Sequence, residues 1–584
     1  MSRLEMKDIV FGRTLREPLC RVDFAIGTTY SLDLDTFISL PFSLGFLEDP
    51  DEVMRRNPTY IFAALRVCSD NLAVFCNYAD IKVPPQSRKV YYALMESSVF
   101  PVNAGKKASM VNFHPKVWII RQTGPEGTLV RVVVMSRNLT RDGSLDCACV
   151  LTGKVGKRPA TARAKEKHRP LRDFLMYLSR KAPATSKKRA RIESIAGDID
   201  KIESFDIAGS QYDDYDFRPL GIPDYSGKNT LDEIAHAPYA AVISPFIDDT
   251  VMNRFVQARE KMLLTRDLSV TPAAVNAFGE ENIFTMNPQM VDNELDESVD
   301  LHAKMYFVTA YQRDEEKWRN YLYLGSTNAT AGGFDRNVEF LMRFRFAPYK
   351  SSFWDFCAYF KEDPEMRFSP MVGVCDVEDS RREEYQQSLA FRRAVAAIRN
   401  ATVDTDGGHR YMVTLKVDGG STDAEIYPLM RPDLRVVLMD GVSFRGLSLP
   451  EVSEFYVLEA EGVSRVVKVT TYGMPPGRDD AICRSVIDTK EKFFDCVSFL
   501  LSDSKTSYVI DRGMVEKALV GGSGQDTNTE YAAVYESLLR QAYESPSTIA
   551  DIRVFVNSLP ADVVPPEFSS LYKMITKALK SLRR

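Results

Sequence analysis

One short stretch occurs twice in this chain, and it constrains the fold more than any other feature. The first copy is VNFHPKVWII, with His114 and Lys116, followed by VVVMSRNLT with Ser136 and Asn138. The second is VDLHAKMYFV, with His302 and Lys304, followed by YLYLGSTNAT with Ser326 and Asn328. Lysine and asparagine are 22 residues apart in one copy (138 − 116) and 24 in the other (328 − 304), and the copies are offset by 188 (302 − 114). Each copy is a pair of strand-like apolar runs, so one α/β lobe is used twice. On a strand, residues i and i+2 share a face, so each His and its Lys project together. Pro115 cannot donate a ladder hydrogen bond and marks a strand start or a locally unpaired position. Each asparagine falls just beyond the end of the following strand.

The flanking sequence fits this duplication. Residues 19–35 read as a strand turning into a helix, and 59–76 and 89–100 alternate helical and strand-like patterns. The same alternation restarts at 239–270, with a helix capped near Asp248 or Asp249. The expected fold class is α/β, with two pseudo-symmetric lobes and a C-terminal β-rich and helical region. The expected domains are a first lobe at 1–153, a basic connector at 154–205, a second lobe at 206–372, a β-rich domain at 373–500 and a helical region at 501–584. The GGSG cluster at 521–524 lacks the Lys-Ser/Thr of a phosphate-binding loop and reads as a turn.

Charge matters only locally. The net charge is −5, which gives no global signal for nucleic acid. Residues 154–191, however, hold fourteen Lys or Arg against Glu166 and Asp173. Within them HRPLRDFLMYLSRKA is an amphipathic helix with Leu171, Phe174, Leu175 and Leu178 on one face, and KKRARIE follows. This stretch is either a solvated connector or a footprint for phosphates, with Lys187, Lys188 and Arg189 as the candidate contacts. No secretory signal and no apolar run of spanning length are found, and nine cysteines without a CxxC fit free thiols in the cytoplasm. Cys147 and Cys149 read as small core residues.

The repeat predicts its own chemistry. If the lobes pack about a pseudo-two-fold axis, two imidazoles, two ammonium groups and two carboxamides meet in one cleft. Such a cleft suits a phosphodiester, with the lysines and amides neutralising the non-bridging oxygens. One imidazole can attack phosphorus and the other can protonate the leaving oxygen. No metal or other cofactor is called for. Two of the five histidines are used this way. His168, His236 and His409 lack a comparable setting and are expected at the surface or in loops.

These motifs resemble the phospholipase D superfamily, whose signature is His-x-Lys with a downstream Gly-Ser-x-Asn, usually duplicated. The resemblance covers about residues 20–370. The second copy fits with His302, Lys304, Gly325, Ser326, Asn328 and Glu339. The usual Asp five positions after the lysine is replaced by Arg121 and Thr309. That absence is similar to tyrosyl-DNA phosphodiesterases and several bacterial nuclease-like branches. In the first copy Met135 replaces the glycine, and Asp146 and Ala148 stand where the second has Asn337 and Glu339. The expectation is that Glu339 orients His302 and that His114 lacks a carboxylate from its own copy. The resemblance implies His114 as nucleophile and His302 as general acid and base, with Lys116, Asn138, Lys304, Asn328 and Glu339 beside them and Ser136 and Ser326 at the substrate.

The implied activity is a metal-independent nuclease working through a phosphohistidine, on DNA in preference to RNA, away from membranes. Two alternatives stand. One is a nucleic-acid-binding subunit of a larger complex with little turnover. The other is a phosphatidyl hydrolase or transferase. By analogy with bacterial phospholipase-D-type proteins bearing long C-terminal regions, a helicase or ATPase partner and a role in phage defence are further expectations.

Overall fold

A computed structural model of the chain describes residues 14–44, 58–486, 538 and 564–582, apart from 18, 85–88, 107–108, 141–143, 208–211, 288–290, 293–296, 299, 364–366, 375–377 and 420–422. The chain divides into two compact units. The first comprises Met1–Asp33, Leu72–Ile81 and Val99–Arg393; the second comprises Leu34–Asn71, Lys82–Ser98 and Ala394–Arg584.

The first unit holds both copies of the repeat. Its strands are β1 (Arg21–Thr29), β2 (Leu72–Asn77), β3 (Val99–Val102), β4 (Val117–Gly124), β5 (Gly127–Met135), β6 (Ala148–Lys154) and β7 (Phe205–Ile207). These make one sheet in the order β7-β6-β5-β4-β1-β2-β3. Then come β8 (Asp214–Leu220), β9 (Tyr239–Ile243), β10 (Glu260–Thr265), β11 (Ile283–Met286), β12 (Met305–Gln312), β13 (Lys317–Gly325), β14 (Glu339–Phe346) and β15 (Phe368–Pro370). They form a second sheet, β8-β14-β13-β12-β9-β10-β11-β15. The pairing senses match strand for strand: β1-β2-β3 and β9-β10-β11 are parallel, while β4-β5-β6 and β12-β13-β14 run antiparallel. The sequence repeat is therefore a structural one, and the two α/β lobes are as expected.

Two short parallel pairings tie the lobes together. Ser144–Leu145 pairs with Asp300–Leu301, and Phe113 bridges to Val338. Hydrophobic residues of both sheets fill a common core that includes Phe24, Val132, Phe307 and Phe340. Strands such as β1 and β4 read as near-continuous apolar runs because helices or the other lobe cover both faces.

The basic stretch folds into two helices, α1 (Ala162–Lys181) and α2 (Lys187–Ile199), capped by Thr161 and Ser186. Leu171, Phe174, Leu175 and Leu178 are fully buried in the shared core, with Phe174 edge-on to Phe340 of the second lobe. The amphipathic reading holds, but the helix is part of the lobe core and not a solvated tether. His168 corrects the surface expectation: it is buried on α1, its Nε2 is 2.8 Å from the Tyr215 hydroxyl, and Phe205 and Phe217 surround it. Burial first, then Lys167, lowers its pKa to about 4, so it packs as a neutral aromatic. His236 and His409 are exposed, at a helix end and in a turn, as expected. Cys147 lies in the core and Cys149 packs against it.

The second unit contains an antiparallel sheet of Val463–Lys468, Phe455–Ala460, Glu425–Pro428 and Val436–Val437, and a sheet of Ser443–Leu447, Tyr411–Val417, Ile398–Thr405 and Thr471–Tyr472. These sheets are the C-terminal β-rich region expected of the fold. A buried ion pair joins Glu96 to Arg478, and Glu96 also accepts hydrogen bonds from the Ser453 hydroxyl and the Glu454 amide, each 3.0 Å. Helix Pro566–Leu582 matches the expected helical terminus. Most of the rest of the helical region expected at 501–584, including the GGSG cluster, lies outside the described residues. Among the described residues no helix is long and apolar enough to cross a membrane.

Candidate active site

The two His-x-Lys segments sit immediately ahead of β4 and β12, not within them. The apolar strands begin at Val117 and Met305 and anchor the segments from behind. Each segment then pairs with the opposite lobe. His114 donates its amide to Val338 O (2.9 Å), and His302 donates its amide to Leu145 O (3.0 Å). One residue further on in each partner strand is a carboxylate, Glu339 and Asp146 respectively.

That register crosses the carboxylates between the lobes. His114 Nδ1 is 2.9 Å from Glu339 Oε2, and His302 Nδ1 is 2.9 Å from Asp146 Oδ1. The expected pairing of Glu339 with His302 is overturned; His114 has no carboxylate from its own copy, as expected, and takes Glu339 from the other. Asp146 is the counterpart of Glu339, since Ser136 Oγ donates to Asp146 (2.6 Å) and Ser326 Oγ donates to Glu339 (2.5 Å). Fixed spacing hid this. The second copy carries a longer turn containing Gly332–Arg336, so its carboxylate follows its serine by 13 residues (339 − 326) and not 10 (146 − 136). The signal that could have found it is position: each acid stands at or just before the start of the next apolar run.

The serines therefore hold carboxylates and do not face outward; both are fully buried. Glu339 faces three donors, from His114, Ser326 and the Asn337 amide at 3.4 Å. Asp146 likewise accepts from His302, Ser136 and Ser144. With acceptors on that side, Nδ1 of each imidazole carries the proton and Nε2 keeps its lone pair.

Burial lowers the His114 pKa to about 4, with Lys116 adding to this and Glu339 opposing it. Burial and then Lys304 lower His302 to about 4, against Asp146. Burial alone would raise the Asp146 carboxyl, but His302, Ser136 and Lys304 outweigh it and hold the group below the usual carboxylate range. Lys304 is lowered to about 8 and Lys116 well below its ordinary value, burial being the largest cause for both.

The lysines differ in posture. Lys116 Nζ reaches His114 Nε2 at 2.9 Å and His114 O at 3.0 Å, whereas Lys304 Nζ donates to His302 O. The asparagines differ as well. Asn138 Oδ1 accepts from the Tyr30 and Ser31 amides at 3.3 and 3.5 Å, while Asn328 Oδ1 is buried without a partner. Residues the sequence reading missed include Tyr30, whose ring centre is 5.1 Å from that of His114, and Asn77, which accepts the Phe113 amide at 3.4 Å. Neither belongs to a repeated motif.

The three candidate phosphate contacts on α2 have separate fates. Lys187 is exposed. Lys188 is buried, with Nζ 5.9 Å from the Phe100 ring centre, and Arg189 pairs with Glu193 at 3.1 Å. Other cations of the stretch are also matched internally: Lys167 with Asp214, Arg169 with Glu166, and Arg172 with Asp173.

No protein-family model matches the chain, and no curated relative does. Among solved structures, the chain is similar to yeast tyrosyl-DNA phosphodiesterase at 11% identity, over 59% of this chain and 89% of that one, with a TM-score of 0.35. It is similar to Porphyromonas gingivalis polyphosphate kinase at 11% identity, over 66% and 51%, with a TM-score of 0.33. Haemophilus influenzae phosphatidylserine synthase gives 9% identity over 62% and 84%, with a TM-score of 0.34. Two His-x-Lys and Ser-x-Asn sets on duplicated sheets, locked together by crossed carboxylates, carry the resemblance to the phospholipase D superfamily pattern.

Proposed function

We propose that this protein is a metal-independent phosphodiesterase acting on nucleic acid, with His114 as nucleophile and His302 as general acid and base. One observation carries the reading: two imidazoles of one unit, each fixed through Nδ1 by a carboxylate of the opposite lobe and each beside a lysine. His114 Nε2 attacks phosphorus, Lys116 moves from that nitrogen to a non-bridging oxygen, and the bond to the leaving oxygen breaks. Protonated His302 donates its Nε2 proton to that oxygen. Neutral His302 then takes a proton from water as the water attacks phosphorus, and the P–N bond breaks. One diester and one water give a monoester and an alcohol. Phosphate in the cleft stabilises the imidazolium form of His302 by its charge.

The choice of nucleic acid rests on the missing Asp in both motifs and on the basic stretch, of which Lys187 is the exposed candidate contact. The reading as a binding subunit arose from a first copy short of groups. Asp146 supplies what that copy lacked, and this favours an enzyme.

The test incubates purified protein with labelled single- and double-stranded DNA and RNA in excess chelator, beside His114→Ala and His302→Ala. Cleavage lost in both variants is expected. Binding without cleavage, unchanged in the variants, sinks the proposal. Lys187→Glu should weaken binding and reduce its salt slope by about 1; an unchanged slope removes α2 from the interface.

A further inference from the structure

The two lobes are not equivalent at the corner next to each asparagine. Three bonds fix the comparison. Leu139 N donates to Thr29 Oγ1 as Ala329 N donates to Ser244 Oγ, both at 2.9 Å. Thr29 Oγ1 donates to Ser31 O as Ser244 Oγ donates to Phe246 O, both at 2.7 Å. Leu32 bridges to Leu139 as Ile247 bridges to Ala329. Tyr30 thus corresponds to Pro245, and Ser31 to Phe246.

Two consequences follow. In the first lobe the Tyr30 and Ser31 amides satisfy Asn138 Oδ1. In the second, Pro245 has no N–H to give, and Asn328 Oδ1 is buried and unpartnered. Where the first lobe has a buried serine, the second presents Phe246, 47% exposed. The Arg266 guanidinium lies over that ring at 4.5 Å. Arg266 is held there by Leu301 O (3.1 Å) and Asp300 (2.7 Å), and Leu301 directly precedes His302. An exposed aromatic ring, a fixed planar cation and a free acceptor therefore share one flank of the His302 motif.

The Phe246 ring takes Arg266 as a partner on one face and still leaves nearly half of the residue exposed. Its chemistry suits a flat, partly polar ring with N–H donors. We propose that Phe246, with Arg266 and Asn328, forms a nucleobase subsite on the second-lobe side of the cleft. The nucleotide attached to the scissile phosphate stacks on Phe246, and Asn328 Oδ1 accepts a base N–H. The first lobe, with Tyr30 packed on His114 and Asn138 already satisfied, offers no matching platform, so base recognition is one-sided. This inference rests on the reading of the site as a nucleic-acid phosphodiesterase.

The test reads binding separately from cleavage. A short single strand carrying 2-aminopurine is titrated with wild type, Phe246→Ala, Phe246→Trp and Tyr349→Ala, the last an exposed aromatic elsewhere (87%). A strand of equal charge with one abasic position is titrated in parallel. Wild type and Phe246→Trp should quench the fluorescence, as should Tyr349→Ala. Phe246→Ala should lose the quench and bind about 5- to 100-fold more weakly, the loss of one stacked base. It should also no longer distinguish the intact from the abasic strand. Equal quenching and equal discrimination in Phe246→Ala overturns the subsite. Absence of cleavage by wild type while these binding differences persist counts against the hydrolytic reading alone.

Discussion

At the residue scale the site works through tautomers. Each Nδ1 proton is held by a carboxylate of the other lobe, which leaves the lone pair on each Nε2. The two carboxylates should be separable by leaving group. Glu339→Gln is expected to slow formation of the phosphohistidine by about 10²–10⁴-fold with any leaving group, because it disturbs His114. Asp146→Asn should cost a comparable factor with an alkoxide leaving group and much less with p-nitrophenolate, which needs no protonation. Rapid-quench measurement of adduct formation checks this; rescue of Glu339→Gln by the better leaving group would reverse the roles of His114 and His302.

The same residues set the pH dependence. On the proposed roles His114 must be neutral and His302 protonated in the free protein, and burial lowers both pKa values to about 4. The protonated fraction of His302 falls tenfold for each pH unit above that value. The profile of kcat/KM should therefore decline from about pH 5 to 7, and that of kcat should be displaced upward by the bound phosphate. KM should rise as Lys304 loses its proton near pH 8. A kcat/KM that climbs between about pH 5 and 8 would remove His302 from the acid role.

At the scale of elements, the strand ends decide the geometry. Gly325 closes β13 at φ 152°, and a Cβ there would stand 2.2 Å from Phe340 O. Phe340 follows Glu339 and Ser326 follows Gly325, so the clash falls on the Ser326–Glu339 bond. Gly325→Ala should destabilise the first unit by about 1–3 kcal/mol and lower activity more than stability alone explains. Urea unfolding beside activity below the transition checks this; unaltered kinetics would show that Ser326 does not position Glu339. The first copy carries Met135 at this place, so that glycine is a local steric need of one lobe and not a requirement of the chemistry. Helices α1 and α2 show why a charge run can mislead. Their cations are legible in the sequence, but some of the acids that pair with them, Asp214 and Asp200, lie outside the basic stretch.

At the scale of the whole molecule, both imidazoles and both carboxylates belong to one unit of one chain. Mixing His114→Ala with His302→Ala should therefore restore no activity, assayed over hours at high protein concentration. Recovery would mean that lobes exchange between chains. The sequence alone determined the duplicated lobe, since a repeat of apolar runs at strand period can bury itself only as two equivalent sheets. It also determined the histidines, lysines and asparagines, which the repeat makes visible at fixed places beside those runs. The tertiary structure decided which carboxylate serves which histidine, because that depends on lobe-to-lobe register set by Leu145 and Val338 and not on spacing within a copy. It also decided that the serines face inward, that His168 is a core residue and that Phe246 stands exposed where the first lobe has the buried Ser31. Each of these depends on what packs opposite a side chain, and a linear pattern carries no record of that.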